Sequence, residues 1–218
     1  MQRYKTIENW LVNSYDVSVQ NISKISSLNT YQQEELEFVY NTLDNFRVAI
    51  DIGAHIGLVS NQLSQKFQQV ESFELNPSIC KCLEINMFKK ECNNVTIHNC
   101  GLGNEKKLVS LKYKAKDTLD KRSFGVHVDE KPGDILVKSL DSFNFKNVDF
   151  IKIDTEGYEP LVLLGALVTI KKFKPVIMLE NKGYSKRYGY EEESVLEILK
   201  PFGYKIIKKF TKDWIIGA

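Results

Sequence analysis

The chain has 218 residues, 43% of them hydrophobic and 27% charged, with a formal net charge of +2. That length suits one α/β domain with a sizeable core and excludes two full domains. The balanced charge and the few arginines (Arg3, Arg47, Arg122 and Arg187) argue against a nucleic-acid partner read base by base.

The opening stretch "MQRYKTIENW" has no apolar h-region, so no secretion signal is expected. No apolar run approaches the roughly 18 residues of a membrane span. Cys80, Cys82, Cys92 and Cys100 form no C-x-x-C pair. They read as reduced thiols in a cytoplasmic protein. Residues 1–45 read as a helical or irregular extension packed on the core, in which 30–46 places Leu36, Val39, Tyr40 and Leu43 at helical spacing behind a Thr30 cap.

From residue 46 to 218 a regular rhythm predicts one domain. Strands are expected at 47–52, 69–75, 94–100, 148–154 and 174–180, with helices at 56–67, from Pro77 to about Lys90, 158–173 and 191–202. Residues 203–210 and 212–218 read as a closing antiparallel hairpin. Residues 101–140 break the rhythm with short β-like pieces, "KLVSLKY", "FGVHV" and "DILVKSL". Such an insert is the expected place for a substrate-shaping element. The pattern predicts an α/β fold: a doubly wound, mostly parallel, seven-stranded Rossmann-like sheet with helices on both faces.

In such a sheet a ligand rests beyond the carboxyl ends of the strands, where their order reverses. Four strand ends carry small or polar residues there: Asp51 to Gly53 with Ala54, His55 and Gly57; Glu74 and Leu75; Asn99, Cys100 and Gly101; Asp154 to Glu156. "AIDIGAHIG" turns a strand tightly into a helix, as dinucleotide loops do, yet Asp51 replaces the first glycine. A carboxylate repels a pyrophosphate. Glu74 follows at about the 20-residue distance of an acid that holds ribose hydroxyls. A phosphate-free, cationic nucleoside fits both features, and S-adenosylmethionine is one. Asp51, Gly53 and Gly57 would then meet its methionine end.

"DFIKIDTEGYEPLVLLGA" followed by "KPVIMLE" closely resembles the FkbM-like methyltransferases, and "DIGAHIG", "FELNP" and "GLGNEKK" are also similar to the family. The resemblance covers about residues 46–210. His55 departs from it, because such proteins often carry Asn there. The resemblance implies a class I, S-adenosylmethionine-dependent methyltransferase acting on hydroxyl oxygen, with sugar, glycan or natural-product acceptors. Rival readings are a nicotinamide oxidoreductase, which the missing G-x-G-x-x-G disfavours, and a non-catalytic nucleoside- or glycan-binding module.

Methyl transfer needs an aligned acceptor and a base for the hydroxyl proton. Asp154 is expected beside the reacting groups, although acids here and at Glu156 and Glu159 also suit the following helix terminus. Glu180 could orient the acceptor, take its proton, or join Asp154 around a divalent cation, which spacing alone does not predict. Lys152 reads as a partner of a strand-end acid and His98 as structural. His127, in the insert, is either a base or a surface residue. Tyr184, Tyr188 and Tyr190 either stack on a sugar or pack in a loop.

Overall fold

The computed structural model describes residues 4–14, 16–112 and 127–218. The N-terminal region holds strands as well as helices. It opens with an antiparallel hairpin of β1 (Tyr4–Ile7) and β2 (Trp10–Asn13). The two loop residues, Glu8 and Asn9, both have positive φ, as a turn matched to the strand twist requires. Two four-residue strands are too short to stand out by alternation. Then come α1 (Val17–Ile25) and α2 (Gln33–Tyr40). The second helix is shorter than expected: Thr30 ends a separate 3-10 turn, and Gln32 sits left-handed with φ 54°. Trp10 and Val12 are fully buried against Ile79, Leu83 and Met87.

The regular part runs β3 (Val48–Ile52), α3 (Leu58–Ser64), β4 (Gln69–Phe73), α4 (Pro77–Lys89) and β5 (Val95–His98). Buried Asn86 of α4 accepts from the Leu11 amide at 2.7 Å and donates to the carbonyls of Leu11 at 3.0 Å and Ile56 at 2.9 Å. One side chain thus satisfies the edge of β2 and ties it to the core. The insert supplies β6 (Gly101–Leu102), β7 (Lys107–Lys112), β8 (His127–Asp129) and β9 (Ile135–Lys138). These four form a separate small sheet in the order β6-β9-β7-β8. The expected piece "FGVHV" lies partly outside the described residues, and only its His127 and Val128 are placed.

The chain closes with β10 (Val148–Ile153), α5 (Glu159–Leu164), α6 (Leu167–Phe173), β11 (Val176–Glu180), α7 (Ser194–Leu199), β12 (Lys205–Lys209) and β13 (Asp213–Gly217). The main sheet has seven strands in the order β12-β13-β11-β10-β3-β4-β5. Neighbours from β5 to β11 are parallel, and β13 and β12 are antiparallel. Strand order reverses between β3 and β10. On one face Ala49, Val70, Phe150, Met178 and Ile215 pack under α2 and α3. On the other, Ile50, Ile151, Ile177 and Ile216 meet α5, α6 and α7. Strands buried on both faces explain why these segments read as nearly unbroken apolar runs.

The helix expected over 158–173 is split at Gly165 and Ala166. A Cβ at Gly165 would lie 1.9 Å from the Gly103 carbonyl oxygen, so the break is where the backbone after β6 presses on the helix. Gly165→Ala should therefore destabilise the fold by about 1–3 kcal/mol through overpacking. Urea denaturation reads this directly, and an unchanged midpoint would show that the two segments are not in such close contact.

Candidate active site

A cavity of about 880 Å³ opens over the carboxyl ends of β3, β4 and β10, at the point where strand order reverses. Gly53 builds its floor. Its φ is +79°, and a Cβ there would lie 1.9 Å from the Asp154 carbonyl oxygen. Only glycine permits both the turn and this approach of the two loops. Asp154 N in turn donates to Ile52 O at 3.0 Å. Gly57 does a different job. Its φ is +96°, it begins α3, and its missing side chain makes room for Leu83 and Met87 of α4. It does not line the cavity.

Asp51 is also beneath the cavity rather than in its wall. It is fully buried. Its Oδ2 accepts from the Ser60 hydroxyl at 2.6 Å, and Ser72 donates to Ser60 at 2.9 Å. Its Oδ1 faces the Lys152 ammonium at 3.5 Å. Lys152 is in register with Asp51 across β3 and β10 and also faces Asp154 at 3.7 Å. Burial lowers the Lys152 pKa, but Asp51, Asp154, Asp213 and Glu180 outweigh it and push the group up to about 12. Lys152 is thus a fixed cation, and Asp51 acts on the site through it.

Glu74 is buried in the cavity wall. Its Oε2 accepts from the His55 amide at 3.0 Å and its Oε1 from the Asn76 amide at 2.8 Å. Burial raises its pKa, while His55 and the two amides oppose the rise. Asn99 does not reach the cavity. It donates to the Glu74 carbonyl at 2.8 Å and holds that turn. Phe73, Leu75, Ile79, Cys100, Gly101 and Leu102 give this end an apolar lining. All four cysteines are free thiols. The set fits an adenosine: a flat apolar slot, a carboxylate for ribose hydroxyls, and a glycine floor with no side chain in the way. Ala54 and His55 complete the loop. His55 has φ 54°, and its Nε2 lies 2.9 Å from Asp16 Oδ2.

The opposite end is acidic. Asp154, Glu156, Glu180 and Asp213 line it together with Lys152, Lys182 and His127. Glu180 is ion-paired with Lys182, yet burial and Asp154 raise its pKa to about 8. Asp213 is raised to about 6, by burial and again by Asp154, and accepts from Gln32 Nε2 at 3.1 Å. Glu156 is left-handed with φ 55°, and its buried Oε2 has no hydrogen-bond partner among the described residues. Glu159, by contrast, is structural. Its Oε1 accepts from the amides of Thr155 and Gly157, both at 3.0 Å, and from the Thr155 hydroxyl at 3.1 Å. His98 stacks on Phe73 and pairs with Glu71 at 2.6 Å. Among the described residues no three His, Cys, Asp or Glu side chains are grouped to hold a metal ion.

Sequence spacing missed several wall residues: Tyr31, Gln32 and Glu35 from the N-terminal region, and Asp213 from β13. Asp213 reaches the site because the antiparallel pairing sets it opposite Glu180. The tyrosines after β11 separate. Tyr184 lines the cavity, whereas Tyr188 donates to Val128 O at 2.7 Å and packs edge-on against Tyr158.

Solved structures show the same fold. The methyltransferase FkbM of Methylobacillus flagellatus KT is 21% identical with a TM-score of 0.55, over 94% of this chain and 56% of that one. A protein of Streptococcus mutans in complex with SAH is 12% identical with a TM-score of 0.52, over 85% and 94% of the two chains. A SAM-dependent methyltransferase of Aquifex aeolicus is 14% identical with a TM-score of 0.51, over 91% and 96%. No curated protein matches the sequence. The family model for the methyltransferase FkbM domain matches residues 51–206. The chain spans about half the length of that first FkbM structure, and by its family match it belongs to the FkbM methyltransferase family.

Proposed function

We propose that the chain is an O-methyltransferase whose acceptor is a hydroxyl of a sugar or glycan. The observation that carries this reading is the acidic end of the cavity. Asp154, Glu180 and Asp213 face the same space, and burial together with mutual repulsion keeps Glu180 and Asp213 more basic than ordinary carboxylates. That is the equipment for taking a proton from an alcohol. The ring of Tyr184 beside these acids suits the apolar face of a sugar. The sheet order supports a doubly wound, Rossmann-like class I methyltransferase, with residues 1–45 as an extension on the 46–218 domain. The four free thiols support a reducing, cytoplasmic setting. Among the described residues, no helix is long and apolar enough to cross a membrane.

Bound S-adenosylmethionine supplies an electrophilic methyl group on a sulfonium. In our reading Glu74 holds the ribose hydroxyls, the Gly53–His55 loop takes the methionine portion, and Asp154, kept in place by Lys152, orients the acceptor oxygen. Glu180 receives the hydroxyl proton, with Glu156 and His127 on the rim contacting the acceptor. Positioning of this kind supplies about 7–11 kcal/mol of a displacement barrier, and a placed base about 10²–10⁴-fold.

Glu74→Ala should abolish measurable heat on titration with S-adenosylhomocysteine, and titration equal to wild type would remove Glu74 from the cofactor site. A base must be ionised to act. The rate on a hydroxyl acceptor should therefore rise with pH through about 8, following Glu180. Glu180→Gln should lower kcat about 10²–10⁴-fold and flatten that limb. An unaltered pH–rate profile in Glu180→Gln would contradict the assignment. Screening mono- and oligosaccharides with labelled cofactor should give products heavier by one methyl group. Methylation of none of them, with other alcohols accepted, would sink the sugar reading.

A further inference from the structure

The matched family region begins at residue 51, yet one wall of the cavity is built from residues before it: Ser18, Asn21 and Ile22 of α1, then Tyr31 and Gln32. Val19 and Ile22 pack α1 on the core, and a fully buried carboxylate ties its start to the loop. Asp16 Oδ1 caps the helix, accepting from Val19 N at 3.1 Å and the Ser18 hydroxyl at 2.6 Å. Asp16 Oδ2 lies 2.9 Å from Nε2 of His55. The His55 amide, one residue's length away, donates to the carboxylate of Glu74. A continuous line therefore joins the start of α1, the left-handed residue of the loop and the acid assigned to the ribose.

We propose that Asp16 is a positioning residue for the cofactor: through His55 it latches α1 onto the loop, completes the cofactor wall with Ser18, Asn21 and Ile22, and fixes the His55 amide on Glu74. This rests on the reading of the cavity as the S-adenosylmethionine site. Two features make the latch more than a surface ion pair. Asp16 has no exposed surface, so losing its partner leaves a buried charge. His55 is held in a backbone conformation that non-glycine residues seldom adopt, so a side-chain anchor there restrains the loop itself.

The latch has a defined pH range. His55 faces Asp16 from the start of α1, Glu74 from the end of β4 and Asp154 from the end of β10. Burial works against its charge, but these three acids raise it to about 9, above the ordinary histidine value. A raised histidine contributes its full share at low pH and loses it as pH rises through the folded value. The latch is therefore complete at neutral pH and opens as pH passes about 9.

Two variants separate latching from helix capping. Asp16→Ser keeps a good cap but removes the charge facing His55. His55→Asn removes the ring while leaving a residue that tolerates the left-handed conformation. Calorimetric titration with S-adenosylhomocysteine at pH 7 should show both variants binding about tenfold more weakly than wild type, the loss expected when a buried ion pair that positions the loop is broken. Wild-type affinity should fall between pH 7 and pH 10 by a similar factor. The ligand's own α-ammonium loses its proton in the same range in every case, so both variants should show a smaller fall than wild type. Circular dichroism confirms that each variant is folded, and if Asp16→Ser is not, His55→Asn carries the test. Wild-type affinity with a wild-type pH profile in a folded variant would overturn the latch while leaving the cofactor reading intact. Weaker binding with an unchanged pH profile would also overturn it, since a purely structural loss predicts that. A wild-type chain that binds no S-adenosylhomocysteine overturns both readings at once.

Discussion

The site depends on one buried ammonium. Lys152 sits in the middle of the sheet, 3% exposed, where β10 pairs with β3 at the switch point. An isolated charge there would be prohibitively unstable. Asp51 at 3.5 Å and Asp154 at 3.7 Å make it tolerable, and it makes them tolerable in turn. The ion pair with Asp51 ties the two strands at the switch point. The contact with Asp154 then fixes the carboxylate that stands at the cavity. Ser60 and Ser72 extend the same network into α3 and β4, so four elements of the fold converge on one cation.

This arrangement revises the meaning of the replaced glycine. A carboxylate at position 51 still disfavours a pyrophosphate, but it does so from below. It supports a lysine whose charge, with Asp154, Glu180 and Asp213 around it, sets the electrostatics of the acceptor end. The cavity is consequently divided by chemistry. Its β4–β5 side is apolar with one carboxylate suited to ribose. Its β10–β11 side is a group of acids that repel one another and are eased by Lys152 and Lys182. The proposed reaction, between a methyl donor and a hydroxyl that must lose a proton, needs those two environments side by side.

Much of this was legible in the sequence because it is local. Glu74, Gly53 and Asp154 fall at strand ends, and strand ends follow from unbroken apolar runs. His98 was expected to be structural from its place inside a strand, whereas Glu159 stood open between the site and the helix terminus until its bonds to the Thr155 and Gly157 amides put it at the terminus. What could not be read depends on distant pairing. Asp213 joins the site only through its register with Glu180, and Gln32 meets it across a separation of 181 residues. Asp51 and Gly57 were assigned to the ligand because motif spacing does not say which side of a loop faces the cavity. The hairpin at residues 4–13 escaped notice because its strands have four residues each and pack on α4, far along the chain.

The central claim, that a buried Lys152 organises the switch point and the site over it, is tested most directly by Lys152→Met. The substitution keeps the side-chain length and removes the charge. Asp51 and Asp154 are then left facing one another without a counter-ion, a situation that costs about 3–5 kcal/mol. Urea denaturation at neutral pH should show a loss of that size. A variant as stable as wild type would show that the carboxylates need no cation, and the account would be wrong at its base.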